Sequence, residues 1–250
     1  GPLMWKRALL IAFLMVAGQG LILSNIGIGF QTLKNDSNGH LGDTYDLQSM
    51  IDNTSEGGTL FLPVGEINGS FYINRSMNLI GQGNDTTIIA SQYNSISIQS
   101  SDVNISNIGF RAGSSCISIG KNYDNILIWG CNFSNCYRGI MVYNSYIESS
   151  YLVIKNNSFY NTVNDGIYFH GVSQCRIEHN SFEYALNGVY ANVMVNSNIS
   201  MNVFRSGEKG IDMSNCDEVN ITFNSLRDME VGIETYYDTD NNISRNKIID

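Results

Sequence analysis

The stretch "NDGIYFHGVSQCRIEHNSFEYALNGVYANV", residues 164–193, contains the same short pattern twice. Gly166 opens the first copy, and Gly188 opens the second copy 22 residues later. Each glycine is followed by alternating apolar and polar residues, which is the period-two pattern of a β-strand. A pattern that returns at a fixed interval is typical of a solenoid, in which each repeat forms one coil.

Other landmarks return at nearly the same interval, at steps of 22 to 27 residues. The glycines that open the units are Gly139, Gly166, Gly188, Gly210 and Gly232. A large apolar residue follows later in each unit, at Phe159, Phe182, Phe204, Leu226 and Ile248. An asparagine lies two residues before each of these, at Asn157, Asn180, Asn202, Asn224 and Asn246. The pattern therefore predicts apolar columns inside the solenoid and an asparagine ladder at one turn.

Each unit has room for two or three short strands and no helix-length segment. Successive copies would stack in parallel, about 4.8 Å apart along the axis. Parallel crossovers are overwhelmingly right-handed. We therefore predict an all-β fold, a right-handed parallel β-helix with coils of about 22 residues, over residues 57–250. The residues expected to be buried include Ile167, Ile177, Phe182, Val189, Ile199, Phe204, Ile211 and Ile221.

The two ends of a solenoid expose strand edges that need a cover. Residues 31–56 are interpreted as a linker and an N-terminal cap, with a short helix in "DTYDLQSMIDNTS", residues 43–55. Leu47, Met50 and Ile51 follow helical spacing, and Thr44 is the predicted N-cap. The last residues, "NNISRNKIID", stop within a unit, which we interpret as a truncation. The alternative is that another chain covers this edge, through self-association at the open C-terminal end.

The N-terminal segment predicts export. Residues 1–3 are interpreted as a protease remnant from expression and are excluded. Residues 4–30 combine Lys6 and Arg7 with a long apolar run, which fits a secretory signal peptide or a retained membrane anchor. A buried soluble helix is the third alternative. The first two predict an extracellular or cell-surface domain, with membrane contact only through this segment.

Charge and cysteine content narrow the range of partners. The net charge of −9 disfavours nucleic acid as a partner. None of the five cysteines has metal-ligand spacing, so we predict that they are buried thiols and that no metal is bound. The alternatives are one disulfide or a metal site. Eleven Asn-x-Ser/Thr sequons are present, of which a minority is expected to carry glycans. The chosen candidates are Asn68, Asn84, Asn198, Asn220 and Asn242.

The segment "GGTLFLPVGEINGSFYINRSMNLIGQGNDTTIIA", residues 57–90, resembles the first coils of pectate-lyase-like right-handed β-helix proteins. The later Asn-x-x-Phe and Gly-Ile units resemble the repeats of the NosD-like and carbohydrate-associated surface proteins of that group. The resemblance covers roughly residues 44–250 and implies the fold. It does not imply one activity, because this fold hosts lyases, hydrolases, epimerases, copper-handling proteins and surface proteins. No paired-aspartate hydrolase motif and no lyase arginine carries over to this chain.

Residues between the inward-facing ones should point outward and form two columns on one sheet. One column contains Met141, Tyr168, Tyr190, Asp212 and Glu234. The other contains Tyr143, His170, Asn192, Ser214 and Tyr236. We predict that a ligand, if any, binds at this face, with Tyr143, Tyr168, Tyr190, Asn192 and Tyr236 as its contacts. The alternative is that the tyrosines are only good strand residues that stack on one another.

Asp212 and Glu234 are the candidate catalytic pair, with His170 beside them. Carboxylates on adjacent coils suit a retaining glycosidase, or they suit a shared calcium ion, which is the only cofactor considered. Like charges stacked so closely need a bridging partner. The two columns contain no Lys or Arg, and the neighbouring strand offers Lys155 and Arg176 beside Glu178.

These observations favour an exported or membrane-anchored surface β-helix that binds carbohydrate or forms envelope structure without catalysis. The first alternative is a polysaccharide-processing hydrolase, lyase or epimerase. The second is a NosD-like protein that handles metal, although His40, His170 and His179 are scattered along the chain.

Overall fold

The computed structural model describes residues 46–249. The predictions for the expression remnant, for the apolar segment of residues 4–30, for the linker up to residue 45 and for His40 therefore fall outside the described residues. Within residues 46–249, no helix is both long enough and apolar enough to cross a membrane. The prediction of a signal peptide or an anchor remains a prediction.

The chain forms a right-handed parallel β-solenoid of about nine turns, with about 22 residues in each coil. This confirms the predicted fold. The first sheet contains β1 (Gly58–Phe61), β4 (Met77–Ile80), β7 (Val103–Ser106), β10 (Ile126–Trp129), β13 (Leu152–Lys155), β15 (Arg176–Glu178), the end of β17 (Asn187–Ser200), β20 (Asp217–Thr222) and β23 (Asn242–Ser244).

The second sheet contains β2 (Gly65–Asn68), β5 (Thr87–Ser91), β8 (Gly109–Ala112), the start of β11 (Asn132–Tyr143), the start of β14 (Ser158–Ser173), β16 (Ser181–Glu183), β18 (Val203–Arg205), β21 (Ser225–Arg227) and β24 (Lys247–Ile249). The third sheet contains β3 (Phe71–Ile73), β6 (Ile96–Ile98), β9 (Ser115–Ile119), the later parts of β11 and β14, the start of β17, β19 (Lys209–Ser214) and β22 (Val231–Tyr236). The two-residue strand β12 (Ser149–Ser150) pairs with the end of β14.

The predicted apolar columns form the core. All eight residues that the sequence assigned to the interior are at most 2% exposed. Five phenylalanine rings stack along the axis with centroids 4.7–5.2 Å apart, at Phe110, Phe133, Phe159, Phe182 and Phe204. The repeated glycines are explained by this stack, because a Cβ at Gly166 would lie only 2.6 Å from Cδ1 of Phe182. The glycine column therefore exists to let the backbone of the third sheet approach the rings.

The predicted asparagine ladder lies between the first and second sheets. The backbone N–H and the side-chain amide of Asn180 both donate to Oδ1 of Asn202, at 2.9 and 3.0 Å. The same side-chain amide also donates to the carbonyl oxygen of Ile154 at 2.9 Å. Asn157, Asn202 and Asn224 repeat the arrangement. The ladder thus pairs buried polar groups that would otherwise cost free energy at every turn.

The N-terminal end has the predicted helix, α1 (Leu47–Asn53), in which Leu47 and Ile51 are buried against the core. The predicted N-cap is wrong. Asp46, rather than Thr44, caps the helix, because its carboxylate accepts the backbone N–H of Ser49 at 3.0 Å. An ionised side chain is favoured at this end of a helix dipole, so aspartate serves where the sequence pattern had favoured threonine.

All five cysteines are buried and unpaired, at Cys116, Cys131, Cys136, Cys175 and Cys216. Burial raises the pKa of the Cys131 and Cys175 thiols to about 12. The structure therefore agrees with the interpretation of these residues as small apolar core groups rather than as a disulfide pair.

Candidate functional site

The two outward columns of the third sheet are formed as predicted. Strand register brings Met141 beside Tyr168 and Tyr168 beside Tyr190, and it continues to Asp212 and Glu234. The same pairings align the second column, which contains Tyr143, His170, Asn192, Ser214 and Tyr236. We call these two columns, with Arg138, Asp165 and Lys209 beside them, the third-sheet face. Met141 and Tyr236, 95 positions apart in the sequence, thereby share one surface.

The tyrosine rings stand on the sheet and stack along the solenoid axis. The rings of Tyr168 and Tyr190 have centroids 5.0 Å apart and planes within 6° of each other. The guanidinium of Arg138 lies over the ring of Tyr168, 4.2 Å from its centroid. Burial, followed by the neighbouring Tyr190, raises the pKa of the Tyr168 hydroxyl. The faces of the two rings contact each other, and Arg138 contacts a face of Tyr168. The two tyrosines therefore offer a ligand their edges and hydroxyl groups.

Arg138 and Asp165 form a third column that the sequence analysis missed. Nε of Arg138 lies 2.8 Å from Oδ2 of Asp165, whose side chain is only 2% exposed. The other oxygen of Asp165 accepts the side-chain amide of Asn187 at 2.8 Å. Strand pairing places Arg138, Asp165, Asn187 and Lys209 in register, three residues before the members of the first predicted column. Counting this third position in each repeat would have revealed the column.

Lys209 bridges the candidate carboxylate pair. Its Nζ lies 2.9 Å from Oδ2 of Asp212 and also contacts the carboxylate of Glu234. Hydrogen bonding to Glu234, and then to Asp212, raises the pKa of the Lys209 ammonium well above its ordinary value. From the sequence, these stacked acids were expected to need a bridging partner. Lys209, which lies on the same strand as Asp212, is that partner.

His170 is held in place by the residue that follows the neighbouring strand β11. Its Nδ1 lies 2.5 Å from the carbonyl oxygen of Asn144, which can only accept a hydrogen bond. Nδ1 therefore carries the proton in this contact, and Nε2 is the nitrogen that remains for a ligand. The ring of Tyr143 stacks on the imidazole with centroids 4.9 Å apart. His170 thus keeps a defined orientation on the third-sheet face.

Other residues considered from the sequence lie elsewhere. Lys155, Arg176 and Glu178 belong to the first sheet, and Lys155 pairs in register with Glu178. Candidate acceptors Asn198, Asn220 and Asn242 stack in one exposed column of that sheet, one coil apart. Asn68 is exposed, whereas the side-chain amide of Asn84 donates to the carbonyl oxygen of Gly130 at 3.0 Å. Glycosylation of these residues remains a prediction.

Metal ligands of the common kinds do not cluster. Within residues 46–249, no group of three or more His, Cys, Asp and Glu side chains has a geometry that could hold a metal ion. His170 lies on the third-sheet face, and His179 lies in an exposed turn with φ near +57°.

Comparisons with known proteins agree with this architecture. The family model described as "Right handed beta helix region" matches residues 64–192, and the model described as "Periplasmic copper-binding protein (NosD)" matches residues 150–250. No curated protein matches the chain.

Two solved structures have the same fold at low sequence identity. An alginate lyase from Paenibacillus sp. str. FPU-7 has 14% identity and a TM-score of 0.55, over 81% of this chain and 94% of that one. The catalytic domain of a GH87 α-1,3-glucanase in complex with nigerose has 16% identity and a TM-score of 0.51, over 80% of this chain and 47% of that one. The repeat, the parallel register and the family match over more than half of the residues lead to one conclusion: this chain belongs to the right-handed β-helix family.

Proposed function

We propose that the protein is an extracytoplasmic β-helix that binds an extended glycan along the third-sheet face, without catalysis. The observation that carries the proposal is the double column, which places tyrosine, imidazole, amide and hydroxyl groups from adjacent coils on one surface. Coils rise about 4.8 Å each, which is close to the length of one sugar unit. A glycan lying along the axis would therefore meet one pair of these side chains at every sugar.

The orientation of the groups determines how the sugar would be bound. Tyr168 and Tyr190 use their ring faces to stack on each other, so they would contact a sugar with their hydroxyls and ring edges. Tyr143 and Tyr236 are 55% and 58% exposed and offer more of their ring surface. Asn192 and Ser214 add an amide and a hydroxyl in the same column. This mixture suits a neutral or weakly charged glycan, as does the net charge of −9.

The charged groups of the face support binding over catalysis. Asp165 is buried in its contact with Arg138, and Asp212 and Glu234 share Lys209. A retaining glycosidase needs one carboxyl group that is free to act as an acid and a second that is free to attack the sugar. Here each acid already has a basic partner, so the pair stabilises the coil stacking.

The alternative is a polysaccharide-processing enzyme. Two features favour it: Arg138, Lys209 and His170 lie on the same face as the carboxylates, and two proteins of similar fold are an alginate lyase and a glucanase. The fold alone does not carry an activity. The "NosD" match and its description as periplasmic support a location outside the cytoplasm for either function.

The experiment is a glycan array combined with a polysaccharide-degradation screen on the purified protein. Changing Tyr168 and Tyr190 together to Phe removes two hydroxyls and keeps the ring stack. If each hydroxyl makes one hydrogen bond, binding should weaken by about 1–3 kcal/mol, roughly 5- to 150-fold. Tyr93→Phe is the control, since this tyrosine is 73% exposed in the turn before β6 and belongs to neither column.

Two acid variants separate binding from catalysis. Asp212→Asn and Glu234→Gln should leave glycan binding largely unchanged if the protein only binds. In an enzyme, the same changes would abolish turnover while binding persists, because catalytic groups act mainly in the transition state. Failure of every glycan to bind, together with normal folding of all variants, would refute the proposal and leave the tyrosines as strand-stacking residues.

A further inference from the structure

A loop at the corner between the third and first sheets is longer than its counterparts. Tyr143 pairs with His170 and Ser149 pairs with Val172, so residues 144–148 correspond to the single residue Gly171 in the next coil. We call residues 144–149 the corner loop. This insertion of four residues, together with the one extra residue between Thr162 and Asp165 in β14, explains why one step of the repeat is 27 residues rather than 22.

The corner loop is built closely onto Gly171. The side-chain amide of Asn144 donates to the carbonyl oxygen of Gly171 at 2.9 Å, and the backbone N–H of Glu148 donates to the same oxygen at 3.2 Å. Gly171 has φ near +73°, and a Cβ there would overlap the carbonyl oxygen of Tyr146. Both ends of the loop therefore bond to the same carbonyl oxygen, and the carbonyl oxygen of Tyr146 lies beside Gly171.

Oxygen atoms without partners are concentrated in this loop. Across residues 46–249, six buried side-chain polar atoms lack a hydrogen-bond partner, and three of the six lie in the corner loop. They are Oδ1 of Asn144, Oε2 of Glu148 and Oγ of Ser149. Asn144 is 0% exposed, and Ser149 is 1% exposed. Buried acceptors of this kind are costly unless something binds them.

We propose that the corner loop binds a divalent cation of the calcium type through these three side-chain oxygens. Calcium takes six to eight oxygen ligands, and it accepts carboxylate, amide and backbone carbonyl oxygens together with water. Glu148 supplies the one negative charge among the three, and the backbone carbonyl of Tyr146 lies in the same loop, beside Gly171. This site is separate from Asp212 and Glu234, where Lys209 is the bridging cation.

The surroundings of the loop favour a cation at this corner. Asp124, on the preceding coil, accepts the backbone N–H and the hydroxyl of Ser150 at 2.6 and 2.9 Å, so a second carboxylate lies next to the loop. The nearby ammonium of Lys121 binds Oγ of Ser145 at 3.2 Å, on the exposed part of the loop. It does not bond to any of the three buried oxygens.

A bound cation would also fix the position of His170. The carbonyl oxygen of Asn144 contacts Nδ1 of the imidazole, so the residue that would ligate the cation through its side chain orients His170 through its backbone. This makes the His170 ring a local reporter of cation binding that does not depend on any glycan.

The test is titration calorimetry of the chelator-treated full chain with calcium chloride, together with thermal unfolding in calcium and in chelator. We expect one site, a higher Tm in calcium, and a shift of the His170 ring signals in NMR spectra. Glu148→Gln should weaken calcium binding by about tenfold or more, because the charge count of the ligands sets the affinity. In chelator, this variant should be at least as stable as the original protein, because a neutral amide oxygen costs less to leave without a partner than a carboxylate oxygen.

Glu183→Gln is the matched control. Glu183 is a half-buried glutamate on the second sheet, and its substitution should leave calcium binding unchanged. The absence of any calcium-dependent heat or Tm change would overturn the proposal, and so would a Glu148→Gln variant that binds calcium as tightly as the original protein. In either case the three oxygens are hydrated and the loop has only a structural role.

Discussion

Replacing Phe182 with alanine tests whether the ring stack is the main source of stability. Phe182 is 2% exposed and lies between the rings of Phe159 and Phe204, each with a centroid 4.7 Å away. Truncation of a buried phenylalanine to alanine costs about 3–5 kcal/mol. Two stacked ring pairs are lost at once, each worth about 0.5–1.5 kcal/mol beyond the buried area, so the cost should fall in the upper part of that range.

Urea denaturation at equilibrium provides the measurement, with Cm compared at constant m. Phe182→Leu should cost less than Phe182→Ala, about 1–3 kcal/mol for the two lost ring pairs, because leucine keeps most of the buried volume and the same column already continues with Leu226. Phe223→Ala is the control, since Phe223 is 48% exposed in a turn and its loss should change stability little. If Phe182→Ala and Phe223→Ala cost the same, the ring stack does not determine stability and our account of the repeat is wrong.

Two further predictions concern the core. Gly188→Ala should cost about 1–3 kcal/mol by overpacking, because its Cβ would overlap the ring of Phe204. Gly232→Ala should be nearly neutral, because the nearest neighbour of its Cβ is a flexible methyl of Ile248 at 3.1 Å. Equal denaturation midpoints for the two variants would contradict this. The buried thiols should resist a thiol reagent until the protein unfolds. Rapid labelling of the native protein at pH 8 would refute this. Burial raises the pKa of Cys216 to about 11 and those of Cys131 and Cys175 to about 12, from an ordinary 9.0. The stabilising contribution of these neutral thiols is therefore complete below pH 9.0 and is lost as the pH rises toward 12.

The sequence predicted the fold because every level of the repeat encodes it. Period-two alternation identified the strands, and the 22-residue interval identified the coils. Strand register follows directly from that interval, so the alignment of Tyr168 with Tyr190 could be predicted without coordinates. Ile243 and Ile248 follow the same pattern but are 46% and 57% exposed, because they belong to the last described coil and no further coil packs on them.

The interactions within the third-sheet face could not be predicted in the same way. Register determines which residues are neighbours, but it does not determine the direction of a long side chain. Lys209 was overlooked because it lies three residues before Asp212, outside the alternating columns, and it reaches both carboxylates only through its flexible stem. The orientation of Tyr168 likewise depends on Arg138, which belongs to the preceding coil.

Regularity and irregularity have separate roles in this molecule. The exact repeats satisfy the backbone and the core, through the asparagine ladder and the phenylalanine stack, and they leave few buried polar groups unpaired. The corner loop is the place where the repeat is interrupted, and it also holds half of the unpaired buried polar atoms found in residues 46–249. Such an insertion is not needed to close the solenoid, because the next coil closes the same corner with the single residue Gly171. The cost of the unpaired oxygens and the contact from Asn144 to His170 are therefore the two features that the proposed cation site accounts for and that folding alone does not.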